Sequence, residues 1–511
     1  MSTTPTAFAG SVWTSPHASK HALLIHGLTS SSQAWYSVAN ELAARGYQAT
    51  APDLLGHGNA RRGTAYTIAA LADELRPFVA GVHGSEFPGY DLIIGHSLGA
   101  LVTLAFLSLI PEDKPVRVIL IDPPLEIASG NDQFLHGLFI DQITKPLIVE
   151  QFCALRPRWS RKDAAWEVLG NHLCGTDVID AIFEQNGNPW SYTHKLDTIP
   201  PQVTLKILAA DPSLGALCKA EEAPGFVEVV PGAAHSIQRE DLEVVIKAAV
   251  PDGPSNISDT LAASVWGSPQ STKHALLIHG LTCSSASIWF RIAPELVKNG
   301  YKVSAPDYHG HGIAQSGTEY QISALAATLR PLFTKTPTFS GYDLVIGHSL
   351  GGLITLSLLS LIGATDKLVR VVVIDPPLEQ DAALVAHFRK MFVEFVTNVR
   401  PAETVAGENP LWTRDDVAWH TLSEELCDPA AVEAVFEQND PWTFGHLLAN
   451  VPPNIELIVM GADISLLPSF RVEEAIPYPH VKTRVVEGAT HMIPREFPDV
   501  VVETALHGVP K

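Results

Sequence analysis

The chain has 511 residues, 46% of them hydrophobic and 17% charged, with a formal net charge of −21. A single core rarely grows beyond roughly 250–300 residues, so more than one domain is expected. The apolar fraction excludes a disordered or fibrous chain, and the acidic balance leaves no basic surplus to track nucleic acid or an anionic membrane.

Short apolar runs alternate with helical patterns through the first half. In chain order these are a strand over His21–His26, a helix over Tyr66–Val79, a strand over Asp91–Ile94, a helix over Leu101–Ile110 and a strand over Val116–Ile121. A long, mostly helical stretch, 123–198, follows, and then strands over Val203–Ala209 and Phe226–Val230. The runs are nearly continuous, as expected for parallel strands buried on both faces, and the rhythm predicts an α/β fold. The helical stretch between two strands reads as an inserted cap.

The second half repeats the first. HALLIHGLT occurs at His21–Thr29 and His274–Thr282, and GYDLIIGHSLG at Gly89–Gly99 returns as GYDLVIGHSLG at Gly341–Gly351. IDPPLE (Ile121–Glu126, Ile374–Glu379) and FEQN (Phe183–Asn186, Phe436–Asn439) repeat as well, and the charge divides as −10 and −11. A period this long is a whole domain, far above the solenoid range. The Pro/Gly/Ser/Asp-rich stretch Val250–Thr260 marks a linker. The expected domains are therefore 1–252, with a cap at about 123–198, and 253–511, with a cap at about 376–450. Such a fusion is expected to pack as a pseudo-dimer, because ancestors of duplications are commonly symmetric oligomers.

Cys153, Cys174, Cys218, Cys283 and Cys427 have no paired short spacing, which argues against a disulfide framework and a zinc site; no metal is expected. The first 20 residues lack a charged region followed by an apolar one, and no 18-residue apolar run follows, so the cytosol is the expected compartment. No glycine-rich phosphate loop opens a helix, and no cofactor is expected.

The most informative residues are Gly95–Gly99 (GHSLG) and Gly347–Gly351 (GHSLG), each directly after a strand and before a helix. A sharp strand-to-helix turn strains the backbone of its serine and needs small neighbours two residues away. It projects the hydroxyl above the sheet at a helix N-terminus, where an oxyanion is favoured.

With these elbows, His26-Gly27 and His279-Gly280 after an early strand, Asp53–Gly58 (DLLGHG) and Asp307–Gly312 (DYHGHG), the chain resembles the α/β-hydrolase superfamily in its capped esterase and lactonase-like branch. The resemblance covers nearly the whole chain, once per half. It implies nucleophiles Ser97 and Ser349 and general bases His235 (GAAHSIQRE) and His491 (GATHMIPRE). It places the acid after the strand preceding the late histidine's strand, at Asp211 and Asp463, the favoured pair. Asp122 and Asp375 in IDPPLE compete, because lactonases similar to zearalenone hydrolase take their acid there. Backbone N–H groups of Leu28, Leu98, Leu281 and Leu350 would form the oxyanion holes. Trp166, Trp190, Trp419 and Trp442 in the caps are candidate ligand contacts, while His57, His96, His311 and His348 read as scaffold hydrogen-bonders.

The expected function is a serine hydrolase of a small, fairly apolar ester or lactone. C–C, thioester or acyl-transfer chemistry uses the same triad and stays open. So does a half that is silent or only binds ligand.

Overall fold

The computed structural model describes residues 8–79, 88–187, 190–250, 260–336 and 339–510. The chain divides into two compact units, Ala9–Thr260 and Leu261–Lys511, the second of which also takes in Phe8. The boundary expected near residue 252 falls in 251–259, outside the described residues.

The first unit is built on strands β1 (Ala9–Thr14), β2 (Lys20–Ile25), β3 (Tyr47–Pro52), β4 (Leu92–His96), β5 (Val116–Ile121), β6 (Val203–Ala209) and β7 (Val227–Val229). Their order is β1-β3-β2-β4-β5-β6-β7, parallel except for β1 against β3. The second unit repeats it with β8 (Leu261–Trp266), β9 (Lys273–Ile278), β10 (Tyr301–Asp307), β11 (Leu344–His348), β12 (Val369–Ile374), β13 (Ile455–Gly461) and β14 (Lys482–Val485). Here β8 alone is antiparallel, against β10.

Central β4 and β11 are buried along their whole length, which is why their sequences run apolar without alternation. β1 and β3 carry no strong apolar run in the sequence. They are short, and Tyr47–Pro52 alternates Tyr, Ala and Ala inward with Gln and Thr half-exposed, a weak signal. Each unit has its own apolar core around the helix after its elbow, Leu98–Phe106 or Leu350–Ser357.

Between β5 and β6 lie four helices, Asn131–Thr144, Val149–Leu155, Arg161–Leu173 and Thr176–Gln185. Ala382–Thr397, Ala402–Glu408, Arg414–Leu426 and Pro429–Gln438 occupy the same interval in the second unit. The third helix of each set starts at a capping box. Ser160 Oγ accepts from Asp163 N–H while Asp163 accepts from Ser160 N–H, and Thr413 with Asp416 does the same. Trp159 and Trp412 are the residues immediately before these N-caps.

The repeated FEQN motif is a clamp. Gln185 Oε1 accepts from Tyr66 N–H and Asn186 Oδ1 from Ile68 N–H, at 2.7 Å each, pinning the last cap helix to the start of helix Ile68–Val79. Gln438 and Asn439 repeat this on Tyr320 and Ile322.

Candidate active site

Each functional loop leaves the carboxyl end of a parallel strand, where open α/β sheets gather their sites. After β4, Ser97 adopts φ 53°, ψ −119°; after β11, Ser349 adopts φ 54°, ψ −120°. This left-handed conformation is costly for a serine and is held by Ser97 N–H donating to Ile121 O at 2.9 Å and Ser349 N–H to Ile374 O at 2.8 Å. The flanking glycines are forced by space. A Cβ on Gly99 would stand 2.3 Å from Ile25 O, and one on Gly95 would stand 2.6 Å from Thr103 Oγ1. A Cβ on Gly27 would press within 3.1 Å of Ser97 Cβ, so the His-Gly loop lies against Ser97.

The structure brings the elbow serine and late histidine of each unit to one cavity, Ser97 with His235 and Ser349 with His491. It also corrects the favoured acid. His235 Nδ1 meets Asp122 Oδ2 at 2.7 Å, and His491 Nδ1 meets Asp375 Oδ2 at 2.7 Å. Asp211 and Asp463 lie at the surface and serve another purpose. Asp211 accepts from Ser213 N–H and Oγ–H and, at 2.8 Å, from Gly232 N–H, and its own N–H donates to Ala233 O. Asp463 does the same with Ser465, Gly488 and Ala489. These aspartates anchor the loop that carries the histidine, and those hydrogen bonds, first from Gly232 and Gly488, lower their pKa.

Asp122 and Asp375 are fully buried at positive φ, 41° and 43°. Asp122 also accepts backbone N–H bonds from Ala210, Leu217 and Cys218 at 3.0–3.1 Å. Asp375 accepts from Ala462, Ser469 and Phe470 at 2.9–3.3 Å. Burial pushes the Asp375 pKa up, but the hydrogen bond and charge of His491 and these amides outweigh it, and the net shift is downward. An ionised aspartate on Nδ1–H fixes the tautomer and leaves Nε2 as the proton acceptor.

The elbow histidines hold the same loops. His96 Nε2 lies 3.1 Å from His235 O, and His348 Nε2 lies 2.9 Å from His491 O. Burial lowers the pKa of both, to about 3 for His348, so both are neutral near pH 7. Each His–His peptide contact therefore positions the loop without adding charge.

Leu28 and Leu281 line the two cavities, and Leu98 and Leu350 open the helices after the serines, where first-turn N–H groups lack intrahelical acceptors. The four candidate tryptophans do not line either cavity. Trp166, Trp190, Trp419 and Trp442 are core residues at 1–5% exposure, and Trp442 Nε1–H donates to Pro377 O. Trp159 and Trp412 line the cavities instead. Neither carries a local sequence signal of facing a cavity.

The cavities differ. That at Ser97 measures about 820 Å³ and is walled by Phe134, Leu135, Leu138, Phe139, Phe152 and Leu155, among others. That at Ser349 measures about 170 Å³, with Phe392, Phe395, Trp412, Arg400, His420 and Glu424 on its walls.

Two strained serine elbows on parallel sheets, each with a late histidine on a buried aspartate, define a class of α/β fold. The chain belongs to the alpha/beta hydrolase family, whose model matches residues 22–248 and 275–504. It is 35% identical over 83 residues to Methylesterase 9 of Arabidopsis thaliana, 16% of this chain and 32% of that protein. It is 30% identical over 112 residues to Lipase LipV of Mycobacterium tuberculosis, 22% of this chain and 40% of that protein. The chain thus spans about a third of the length of these curated relatives. Among solved structures, a thermophilic esterase from Thermogutta terrifontis matches at 19% identity over 48% of this chain and 92% of that one, with a TM-score of 0.38. Among the described residues no helix is long and apolar enough to cross a membrane.

Proposed function

We propose that the chain is a serine hydrolase of carboxylic esters with two working sites, Ser97–His235–Asp122 and Ser349–His491–Asp375. The observation that carries the reading is the repeated 2.7 Å contact between the late histidine's Nδ1 and a buried aspartate, in both units, behind a strained serine.

In this mechanism the histidine's Nε2 takes the serine proton as Oγ attacks the ester carbonyl, and the carbonyl electron pair moves onto oxygen. N–H groups of Leu98 and Leu28, or Leu350 and Leu281, receive that oxyanion. As the tetrahedral intermediate collapses, the C–O bond breaks and the imidazolium protonates the departing alcohol. Water then attacks the acyl-serine, giving its proton to the same nitrogen, and the acid leaves as the serine is restored.

Lactones fit the same steps, with alcohol and acid released as one molecule. The esterase-named relatives favour oxygen esters over C–C or thioester cleavage. The relaxed, mostly apolar wall at Ser97 suits a long or bulky apolar ester.

Labelling with a fluorophosphonate decides the reading. Two equivalents per chain, on Ser97 and Ser349, are expected. One equivalent overturns the two-site reading, and none overturns the hydrolase reading itself.

A further inference from the structure

The segment that carries each late histidine runs on to an arginine and a glutamate, from His235 to Arg239-Glu240 and from His491 to Arg495-Glu496. The proposed triads use neither. Glu240 ends the short helix Ile237–Glu240 and turns back on the loop it follows, where its Oε2 accepts from Ala234 N–H at 2.7 Å. Glu496, at the end of Ile493–Glu496, accepts from Thr490 N–H at 2.7 Å. Ala234 and Thr490 immediately precede the histidines. Hydrogen bonds to a carboxylate are stronger than those between neutral groups, so the backbone is pinned one residue short of each base.

The other carboxylate oxygen separates the units. Glu240 Oε1 accepts from Trp159 Nε1–H at 3.3 Å, and the Arg239 guanidinium lies over the same indole, 4.5 Å from a ring centre. Trp159 stands on the wall of the Ser97 cavity, so one side chain ties the base loop to that wall. In the second unit Arg495 lies over Trp412 at 5.2 Å, but Glu496 Oε1 accepts from Thr490 Oγ1–H at 2.7 Å instead. The residue before the histidine makes the difference. Thr490 has a hydroxyl to offer its glutamate, and Ala234 has none.

Resting on the serine-hydrolase reading of both sites, we propose that Glu240 and Glu496 are positioning residues for the bases His235 and His491, and that Glu240 alone also sets the substrate wall through Trp159. Neither glutamate lines the cavity at its serine, so each acts through the groups it holds. A general base works only within hydrogen-bond reach of the proton it takes, and a displacement of about 1 Å can cost ~10²-fold in rate. The Ser97 site therefore couples its base to its wall, and the Ser349 site keeps the two apart.

The test uses the full chain, with Ser349→Ala to read Ser97 and Ser97→Ala to read Ser349, and 4-nitrophenyl butanoate as substrate. Glu240→Ala and Glu496→Ala should lower kcat at their own sites by about 10- to 100-fold. The glutamine variants keep an oxygen for the N–H of residue 234 or 490 and should recover kcat to within about threefold of the parent. Their KM values should part. In Glu240→Gln the amide NH₂ faces the indole N–H, donor against donor, and KM should rise about 3- to 10-fold. In Glu496→Gln the Thr490 hydroxyl can turn to accept, and KM should stay within about twofold. Unchanged kcat in the alanine variants, no recovery by glutamine, or an equal KM change in both glutamine variants overturns the inference. Should an alanine variant not fold, Glu240→Asp and Glu496→Asp, one methylene short of the loop, take its place with the same expected loss. Fluorophosphonate separates the two readings. A parent chain that takes none up fails the hydrolase reading and this inference with it, whereas labelled parents with unchanged alanine variants fail the inference alone.

Discussion

The two units share a sheet order, an elbow and an Asp–His contact of equal length, yet their cavities differ almost fivefold in volume. The residues of the proposed triads sit in loops whose backbone is over-determined. Ser97 and Ser349 agree to one degree in φ and ψ, and Asp122 and Asp375 to two degrees in φ. The cavity walls come from cap helices, which touch the reacting atoms only through space. At matching positions 253 residues apart, Leu147 against Arg400 and Glu167 against His420 change the lining without moving a strand. Duplication thus conserves what strain and crowding dictate and frees what only lines a cavity.

The largest effect should come from the serines. Ser97→Ala and Ser349→Ala should each remove one equivalent of fluorophosphonate and lower turnover of that site's own substrate by about 10⁴- to 10⁶-fold. If either variant keeps full activity on every ester tested, one site contributes nothing and the symmetry of the chemistry is broken.

Next come the acids. Asp122→Asn and Asp375→Asn should lower kcat at their own sites by about 10³- to 10⁴-fold, since the amide leaves the histidine in the wrong tautomer. Asp211→Asn and Asp463→Asn touch only loop anchors and should change kcat less than about tenfold. Steady-state rates at the isolated sites rank the four variants, and the reverse ranking would sink the assignment.

How much of this was readable beforehand follows the range of the interaction. The duplication, the elbow and the late histidine are local patterns and stood out in the sequence. Both aspartate pairs also follow strands in both units, and duplication could not separate them. What decides is the positive φ at Asp122 and the reach of His235 across 113 positions, neither of which leaves a local mark. The tryptophans failed for a related reason. Helical spacing gives no sign that Trp166 faces the core while Trp159, at the helix entrance, faces the cavity.

A smaller effect concerns the wall at Ser97. Phe134 and Leu138 are 70% and 51% exposed, an unusual state for large apolar side chains beside a cavity. In the Ser349→Ala chain, Phe134→Ser with Leu138→Ser should reduce the preference for an octanoyl over a butanoyl ester by about 3- to 10-fold, at ~0.8 kcal/mol for each methylene no longer buried. Equal change on both esters would place the helix Asn131–Thr144 outside the acyl site.

The subtlest difference lies under the His-Gly loops. Asp53 and Asp307 are both buried acceptors, for Ser32 and Asn59 N–H and for Ser285 and Ile313 N–H. In the second unit His279 Nε2 stands 3.2 Å from Asp307. Burial pushes Asp307 up, but the hydrogen bond and charge of His279, with the two amides, bring its pKa below the usual value. In the first unit His26 Nε2 instead accepts from Leu54 N–H, and burial raises Asp53 to about 6. The signs are therefore opposite. A folded pKa above the unfolded one means that stability from Asp53 is gained as pH falls through about 6, by up to roughly 3 kcal/mol below pH 4. Asp307, with its folded pKa depressed, loses stability as pH falls through the carboxylate range. Hydrogen exchange resolved by unit between pH 7 and 5 should show the first unit tightening relative to the second. Asp53→Asn should abolish that divergence, and a divergence that survives it would mean another group in the first unit sets the trend.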